Sequence, residues 1–444
     1  MSITGSDLGN ASVVLEHDGR PLDGTINLPG GKHAFAHVLA SAAVADVVDL
    51  ENVPANADTL ALIDALRLIF SRVEHDRTVN RLRLADPLDA GIVEWPPELV
   101  ARSRNLFCLL PATLHHRGEL RFEGVPRGCE IGARPYDWYL HTMVQFGAEV
   151  NTQGETVDLS WRRRHPAQLS FSYPTMTGTV VALAAGAAVA GTSSIRGGSV
   201  EPSCWEQGEA MTANGRMVTR GEYTTVEEGS LGHFKWRLGP DRIHAATLLT
   251  AGLLTRGRVT VRFERPLRMP RFLEFCECIG AGISTSSNSL TIAHPREQAL
   301  RATTLVAGSE PMFSSDWAPF AALLLACRAE GHSTISDDVF IDRFQFLERL
   351  RPAGLPQASV TCTRQRGRNV AIARLNGDPN TRLRGRAFAD VPDIRGSAAV
   401  LLSALVADGP CAIPDARHLL RGYEDLPGQL ESIGVRGIRR EETI

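Results

Sequence analysis

The chain has 444 residues, of which 43% are hydrophobic and 22% are charged, and its formal net charge is −3. This length predicts two domains, or three, and the near-neutral balance excludes a chain-wide basic surface for nucleic acid or an anionic membrane. The apolar runs are shorter than the roughly 20 residues that a bilayer span requires. The first residues lack a secretory pattern, and the eight cysteines follow no repeating framework. We therefore expect a cytoplasmic protein with reduced thiols.

The basic residues are strongly biased towards arginine. Of 47 basic residues, 45 are arginine, and the two lysines are Lys32 and Lys235. A lysine in a chain that otherwise uses arginine indicates a position that needs a compact, mobile ammonium group and not a planar guanidinium group. The alternative is that the lysine is present by chance.

One unit recurs six times along the chain. Each copy opens with an apolar helix rich in small residues, continues with a short strand, and closes with a second helix. The opening helices are apolar on nearly every face, which predicts that they are buried. Gly239 and Pro240 punctuate the pattern after the third copy and divide the chain into two similar lobes. The opening helices are predicted to start near His37, Leu106, Val180, Leu248, Ala322 and Ala399.

A glycine-rich turn, Asn27 to His33, leads into the first buried helix. Its backbone amides and Lys32 suit a phosphate or carboxylate, although the spacing is not that of a P-loop. His33 and His37 are four residues apart, a spacing that also occurs in metal sites. No Glu-x-x-His partner or clustered cysteines accompany them, so we expect no metal there.

The second copy carries an unusual loop from Gly124 to Pro135, with Cys129 between Gly128 and Glu130. We expect Cys129 at the start of a helix and near arginines, where the thiolate is stabilised. The alternative is a small buried hydrophobic residue.

Polar residues also adjoin the later buried helices. Asp316 precedes the fifth one, where helix N-capping is the common reason for an aspartate. Arginines at helix starts have a surface ion pair as their default explanation. The arginines in question are Arg104, Arg343, Arg395 and Arg421.

Five motifs together resemble those of the enolpyruvyl transferases, in the same order and over nearly the whole chain. They are Pro29 to Lys32, Gly128 to Pro135, Ser315-Asp316, Asp393 to Arg395 and Arg421 to Glu424. The cysteine loop makes the likeness strongest to the bacterial UDP-N-acetylglucosamine enolpyruvyl transferases, since the 5-enolpyruvylshikimate-phosphate branch lacks that cysteine.

The resemblance implies an α/β fold: a two-lobed inside-out α/β barrel built from six repeats of a βαβαββ-type unit, three in each lobe. One lobe would comprise residues 33–240, including the cysteine loop. The other would comprise residues 10–32 and 241–444, because the family's N-terminal strand returns to the second lobe.

The resemblance also implies phosphoenolpyruvate as the donor, held by Lys32, Arg134 and Arg421, with no metal or cofactor. Cys129 would protonate the methylene carbon, and Asp316 would take the proton of the acceptor hydroxyl. We expect this acid and this base on opposite lobes, so that they would come together only when the lobes close. Lys32 and Arg421 complete the implied catalytic set. The implied acceptor-binding residues are His33, Arg104, Asp137, Tyr173, Thr175, Thr177, Asp316 and Arg343, and the implied cleft supports are Asp393 and Arg395.

The chain departs from the family pattern at positions that face the acceptor. His33 stands in place of an asparagine, Tyr173 in place of a lysine and His244 in place of a glutamate, while Trp138 and Tyr139 are bulkier than usual. Thr175 to Thr177 replace Ser-Val-Gly. Because the donor residues persist, these changes indicate a different acceptor.

The acceptor we expect is a uridine nucleotide, namely UMP attacked through its ribose 3′-hydroxyl, as in the transferases of nikkomycin- and polyoxin-type antibiotic biosynthesis. The alternatives are a UDP-N-acetylglucosamine enolpyruvyl transferase of peptidoglycan synthesis, a non-catalytic nucleotide-binding relative and a metal-dependent hydrolase using His33 and His37.

Overall fold

All six predicted apolar segments form helices in the computed structural model, which describes residues 11–126, 128–132, 136–295, 297–365, 367–389 and 391–442. Five of the six α-helices begin four to six residues before the predicted start, whereas the segment at Leu106 begins as a 3-10 turn and becomes α-helical at Leu110. The helices are α1 (Lys32–Ala42), α2 (Ala57–Leu66), α3 (Pro97–Arg102), α4 (Leu110–Arg117), α5 (Asp137–Gln145), α6 (Met176–Ala187), α7 (Pro202–Ala213), α8 (Arg242–Leu254), α9 (Pro270–Ile279), α10 (Ala318–Arg328), α11 (Gln345–Leu350), α12 (Ile394–Ser403), α13 (Arg417–Gly422) and α14 (Leu426–Ser432).

Short 3-10 segments extend several of these helices: Arg104–Leu109 before α4, Ser315–Trp317 before α10, Arg351–Ala353 after α11 and Ala404–Val406 after α12. Among the described residues, no helix combines the length and apolar character needed to cross a membrane.

The strands form several small sheets between the helices. They are β1 (Ala11–Leu15), β2 (Asp23–Asn27), β3 (Val47–Glu51), β4 (Phe70–Asp76), β5 (Arg81–Pro87), β6 (Gly91–Trp95), β7 (Gly118–Glu123), β8 (Glu149–Gln153), β9 (Thr156–Ser160), β10 (Gln168–Ser170), β11 (Ser193–Arg196), β12 (Val218–Arg220), β13 (Tyr223–Val226), β14 (His233–Arg237), β15 (Arg258–Arg262), β16 (Gly282–Thr285), β17 (Ser289–Ala293), β18 (Leu300–Arg301), β19 (Thr304–Gly308), β20 (Phe313–Ser314), β21 (Ala329–Asp337), β22 (Ala358–Gln365), β23 (Arg368–Gly377), β24 (Leu383–Arg384), β25 (Ala407–Asp408), β26 (Cys411–Ile413) and β27 (Ile438–Glu442).

The chain divides into two compact units. The first contains the described residues of 29–128 and 134–239, and the second those of 1–28, 129–133 and 240–444. The described residues 129–132 of the cysteine loop therefore belong with the C-terminal half, whereas the whole loop was predicted to lie in the first lobe. Two backbone hydrogen bonds attach this segment to the second unit. The Glu130 N–H donates to the Pro392 carbonyl at 2.7 Å, and the Asp342 N–H donates to the Ile131 carbonyl at 3.3 Å.

The first unit packs three four-stranded sheets around buried α1, α4 and α6. Their strand orders are β14-β3-β5-β4, β6-β7-β9-β8 and β10-β11-β13-β12. The last strand, β14, pairs in parallel with β3, so that Lys235 lies opposite Asp49. The three helices bury almost all of their apolar side chains in one core, as expected for helices that are apolar on every face.

The second unit repeats this scheme around buried α8, α10 and α12. Strand β2 pairs in parallel with β15, placing Ile26 opposite Val261, which ties the N-terminal segment to this unit. Its sheets have the orders β16-β17-β15-β2, β20-β19-β21-β23-β22 (with β18 beside β21), β26-β1-β27 and β24-β25. One continuous apolar core again surrounds the three helices.

Buried arginines complete the C-terminal ends of these helices, where the last carbonyls lack partners within the helix. Arg216 is 2% exposed and donates to the carbonyls of Gly186 and Val189 at the end of α6. Arg328 donates to the Leu254 carbonyl at the end of α8, and burial lowers the pKa of Arg328 to about 10. Both guanidinium groups remain charged at neutral pH and complement the negative helix ends.

Candidate active site

In the first unit, the glycine-rich turn brings the backbone close to a neighbouring loop and positions Lys32 at the start of α1. A Cβ on Gly30 would lie 1.8 Å from the carbonyl oxygen of Asn52, so only glycine fits. The Gly31 N–H donates to the Gly239 carbonyl at 2.9 Å. These contacts fix the backbone from which the Lys32 side chain extends.

Replacing Gly30 with alanine should therefore lower the free energy of unfolding by about 1–3 kcal/mol, because the Asn52 backbone must move to admit the methyl group. Urea unfolding measures the change. Gly221→Ala is the matched control in the same unit, since the nearest atom to its Cβ lies 4.0 Å away. Equal stabilities of the two variants would contradict this account of the turn.

Lys32 is almost fully buried and forms an ion pair that was not predicted from the sequence. Its Nζ lies 3.0 Å from Asp58 Oδ2, and the two side chains are 7% and 3% exposed. Asp58 stands in the first turn of α2, where Asn56 caps the helix by accepting from the Thr59 N–H. A carboxylate at that position looked like an ordinary partner of the helix dipole, so the local sequence gave no reason to link it to Lys32.

The two histidines that lie four residues apart at the start of α1 stack on each other. The rings of His33 and His37 are parallel with centroids 5.9 Å apart. His37 instead faces α7, where donor atoms of His37, Glu201 and Cys204 lie within 4.8 Å of one another. The Ser203 hydroxyl lies 2.7 Å from His37 Nδ1 and donates to Glu201, and burial lowers the pKa of His37 to about 3. We interpret this group as a core hydrogen-bond network around a neutral imidazole.

The other residues predicted in this unit occupy surroundings of different kinds. Arg104 is 9% exposed and lies over the Tyr139 ring. Asp137 is exposed in the first turn of α5. The Thr175 hydroxyl caps α6 by accepting from the Gly178 N–H, and Thr177 is half-buried in the first turn of that helix.

Tyr173 lies in a cluster of aromatic rings. It is 38% exposed, and its ring meets the half-buried Trp138 edge-on at 5.5 Å. Trp138 also contacts the ring of Phe171 at 5.6 Å. The aromatic group therefore presents a surface on which a planar ring could stack.

Cys129, in the second unit, was predicted to lie at the start of the helix that follows it. That prediction is wrong, because the following helix, α5, begins only at Asp137. The sulfur of Cys129 lies instead at the beginning of α12, where the Ile394 N–H donates to Cys129 Sγ at 3.4 Å. The side chain is half-buried against the apolar core. A helix N-terminus supplied by a distant segment thus provides the environment that stabilises a thiolate.

Asp316 lies in the same unit, in the turn before α10, and it is not the helix cap. Ser314 caps the 3-10 turn before α10, since its hydroxyl accepts from the Asp316 N–H, and the N-cap position of α10 itself is Trp317. The Asp316 carboxylate is 21% exposed and faces two arginines: Oδ1 is 3.0 Å from Arg343 and 3.6 Å from Arg395. The predicted acid and base therefore belong to one unit, which corrects the expectation that they lie on opposite lobes.

Arg343 is buried between carboxylates, and its role in acceptor binding stays a prediction. It is 2% exposed and donates to both oxygens of Asp393 at 2.9 and 3.2 Å as well as to Asp316. Asp393 also caps α12 by accepting from the Gly396 N–H. Burial alone would lower the pKa of Arg343, but Asp393 and Asp316 raise it overall, so the guanidinium stays charged.

Two further groups complete this charged cluster. Arg395 is buried over the Tyr423 ring, and although burial works against its charge, Tyr423 and Asp316 raise its pKa overall. Asp337, which the sequence reading missed, accepts from the backbone N–H groups of Val339 and Phe340 and from the Ser315 hydroxyl. Burial raises the pKa of Asp337.

Of the predicted donor-binding arginines, Arg421 lies in α13 and is partly exposed, and Arg134 is outside the described residues. A Cβ on Gly422 would lie 2.2 Å from Ile394 Cγ2, so this glycine allows α13 to approach the start of α12. The backbone that carries Arg421 is therefore held beside the helix terminus that contacts Cys129. Together these residues provide an acid, a carboxylate base and several cations, the set needed for addition and elimination on an anionic substrate.

Comparisons with known proteins agree with this chemistry. Residues 17–430 match the family described as EPSP synthase (3-phosphoshikimate 1-carboxyvinyltransferase). The UDP-N-acetylglucosamine 1-carboxyvinyltransferase of Anaeromyxobacter dehalogenans is 31% identical over 440 residues, covering 96% of this chain and 99% of that protein. The enzyme of the same name from Thermotoga petrophila is 28% identical over 425 residues, covering 94% of this chain and 96% of that protein.

Solved structures show the same likeness. The enolpyruvyl transferase NikO from Streptomyces tendae superposes with a TM-score of 0.82 at 25% identity, covering 97% of this chain and 99% of NikO. EPSP synthase from Acinetobacter baumannii superposes with a TM-score of 0.72 at 17% identity over 97% of this chain and 100% of that one, a likeness of fold alone.

Proposed function

Because the chain belongs to the EPSP synthase family of enolpyruvyl transferases, we propose that it transfers the enolpyruvyl group of phosphoenolpyruvate to a hydroxyl of UMP and releases phosphate. The observation that carries this proposal is the cluster in the second unit, where Cys129 lies at the start of α12 and Asp316 faces Arg343 and Arg395. We also propose that six related repeats, three in each unit, form an inside-out barrel.

In the addition step, the Cys129 thiol gives its proton to the methylene carbon while the acceptor oxygen bonds to the neighbouring carbon. Asp316 takes the proton of the acceptor hydroxyl. In the elimination step, the Cys129 thiolate takes a proton back from the new methyl group and the double bond re-forms. As it re-forms, the bond between the neighbouring carbon and the phosphate oxygen breaks, and phosphate leaves with the proton held by Asp316.

The donor is multiply anionic, so we assign its phosphate and carboxylate to Lys32, Arg134 and Arg421. Asp58 then becomes a positioning residue, since it holds the Lys32 ammonium at 3.0 Å in a buried setting.

Asp58→Asn should raise the KM for phosphoenolpyruvate roughly tenfold with a smaller change in kcat, because a hydrogen bond to a charged group is weakened. Steady-state kinetics with varied donor measure the effect. Asp64→Asn is the matched control on the same helix, where the carboxylate is 45% exposed and pairs with Arg67 and Arg102. Equal KM values for phosphoenolpyruvate in the two variants would show that Asp58 has no role in donor binding.

The aromatic group of Trp138, Phe171 and Tyr173 supports a nucleoside acceptor, because the exposed Tyr173 ring and the half-buried Trp138 ring offer a stacking surface for a base. The chain's own departures from the family pattern concentrate here, at Trp138 and Tyr173. A UDP-N-acetylglucosamine acceptor is the second candidate, and the 31% identity to an enzyme named for that substrate favours it.

The experiment that decides the acceptor is phosphate release from phosphoenolpyruvate with UMP, UDP-N-acetylglucosamine and other nucleotides, followed by mass spectrometry of the products. We expect release with UMP and a product heavier by one enolpyruvyl group. Turnover with UDP-N-acetylglucosamine alone would establish the second candidate. Absence of turnover with every acceptor would overturn the proposal of a nucleotide acceptor.

A further inference from the structure

A buried arginine of the second unit contacts the proposed base Asp316 and also Asp393, the cap of the helix whose first N–H donates to the proposed acid Cys129. Arg343 Nη2 lies 3.0 Å from Asp316 Oδ1, and its Nη1 holds Asp393. Asp393 caps α12, and the first N–H of that helix donates to Cys129 Sγ. The charge of Arg343 also interacts with Cys129 electrostatically.

The reaction moves negative charge between these same groups. Before addition, Asp316 is a carboxylate and Cys129 is a thiol. After addition, Asp316 holds a proton and Cys129 is a thiolate, so one negative charge has left the carboxylate and appeared on the sulfur. A fixed cation close to both positions stabilises either state, and the net charge of the buried cluster does not change.

We propose that Arg343 is a positioning residue that couples the protonation of Cys129 to that of Asp316 by serving as the shared counter-charge of both. This inference rests on the proposed function for its place in the reaction. The coupling itself is a property of the ligand-free second unit. When Asp316 loses its negative charge, less negative charge neutralises the guanidinium of Arg343. The Arg343 cation then stabilises the thiolate of Cys129 more strongly.

Charged groups on the elements that pack together here enter the same charge balance. They come from the cysteine loop, the segment before α11, the start of α12, the turn before α10 and the end of β21: Glu130, Asp342, Arg343, Asp393, Arg395, Asp316 and Asp337. Arg343 is the member of this group that the structure shows in direct contact with both Asp316 and Asp393.

The test is the pH dependence of Cys129 alkylation by iodoacetamide in the full-length protein without substrates, with modification at Cys129 quantified by peptide mass spectrometry. Asp316→Asn should lower the apparent pKa of the Cys129 thiol by about half a unit to one unit. Asp338→Asn is the control, because that carboxylate pairs with exposed Arg368 and should leave the profile unchanged. An unchanged profile in Asp316→Asn overturns the coupling.

A second comparison separates coupling through Arg343 from a direct effect of Asp316 on the sulfur. Lysine keeps the charge at position 343 but lacks the planar fork that contacts two carboxylates, so the effect of Asp316→Asn should shrink at least about twofold in an Arg343→Lys background. The same shift in both backgrounds overturns the role of Arg343.

If Arg343→Lys does not fold, Asp393→Asn supplies the test, since asparagine still caps α12 while one carboxylate on Arg343 is lost. We expect a lower thiol pKa in that variant, and an unchanged value overturns the proposal. Because no substrate is present, these results stand apart from the acceptor assay, and each proposal can fail alone.

Discussion

Cys129→Ala should reduce kcat for enolpyruvyl transfer by about 10²- to 10⁴-fold, the usual contribution of a positioned general acid. The thiol would no longer protonate the methylene carbon, while the cations that hold the donor remain, so the KM for phosphoenolpyruvate should change much less. Phosphate release under saturating donor and acceptor measures the loss.

Cys362→Ala is the matched control, because Cys362 is an exposed cysteine of the same unit on β22. That variant should retain full activity. If Cys129→Ala kept the parent rate, the proton would have to come from another group, and the assignment of Cys129 as the acid would be wrong.

Arg343→Met should lower the free energy of unfolding by about 3–5 kcal/mol, the cost of removing one partner from a buried ion pair. Arg343 is 2% exposed and contacts two carboxylates, of which Asp393 is 5% exposed, so methionine would leave buried charge without its counter-charge. Urea unfolding measures this loss, with activity recorded on the folded fraction.

The control for this prediction is Arg368→Met, which removes a guanidinium that is 57% exposed and lies 3.4 Å from Asp338. An exposed pair of this kind contributes about 0–1 kcal/mol. Equal unfolding free energies for Arg343→Met and Arg368→Met would show that the charged cluster around α12 is not a major source of stability.

In a chain so rich in arginine, the sequence around one arginine does not reveal whether that residue forms a surface ion pair or is buried in a charged cluster. From the sequence, Arg343 and Arg395 had a surface ion pair as their default explanation, yet both are buried beside Asp316. Arg216 and Arg328 serve the fold by completing helix ends. All four arginines are buried, and their partners distinguish their roles: backbone carbonyls in the second pair and carboxylates in the first.

The sequence determined the features that depend on near neighbours along the chain. The runs of small apolar residues around Val180 and Leu248 are apolar on every face, and this predicted the buried helices that the structure contains. The motifs around Lys32, Cys129 and Asp316 also identified the family, since each is a contiguous string of residues.

Tertiary structure decided which distant groups meet. Cys129 contacts the start of α12 at a separation of 265 residues, and Lys32 meets Asp58 at a separation of 26. Helical periodicity reports only on residues within a few turns, whereas these contacts arise from packing of whole elements around two cores. For that reason the residue types of the site were predictable from the sequence, but the partners that set their charge were not.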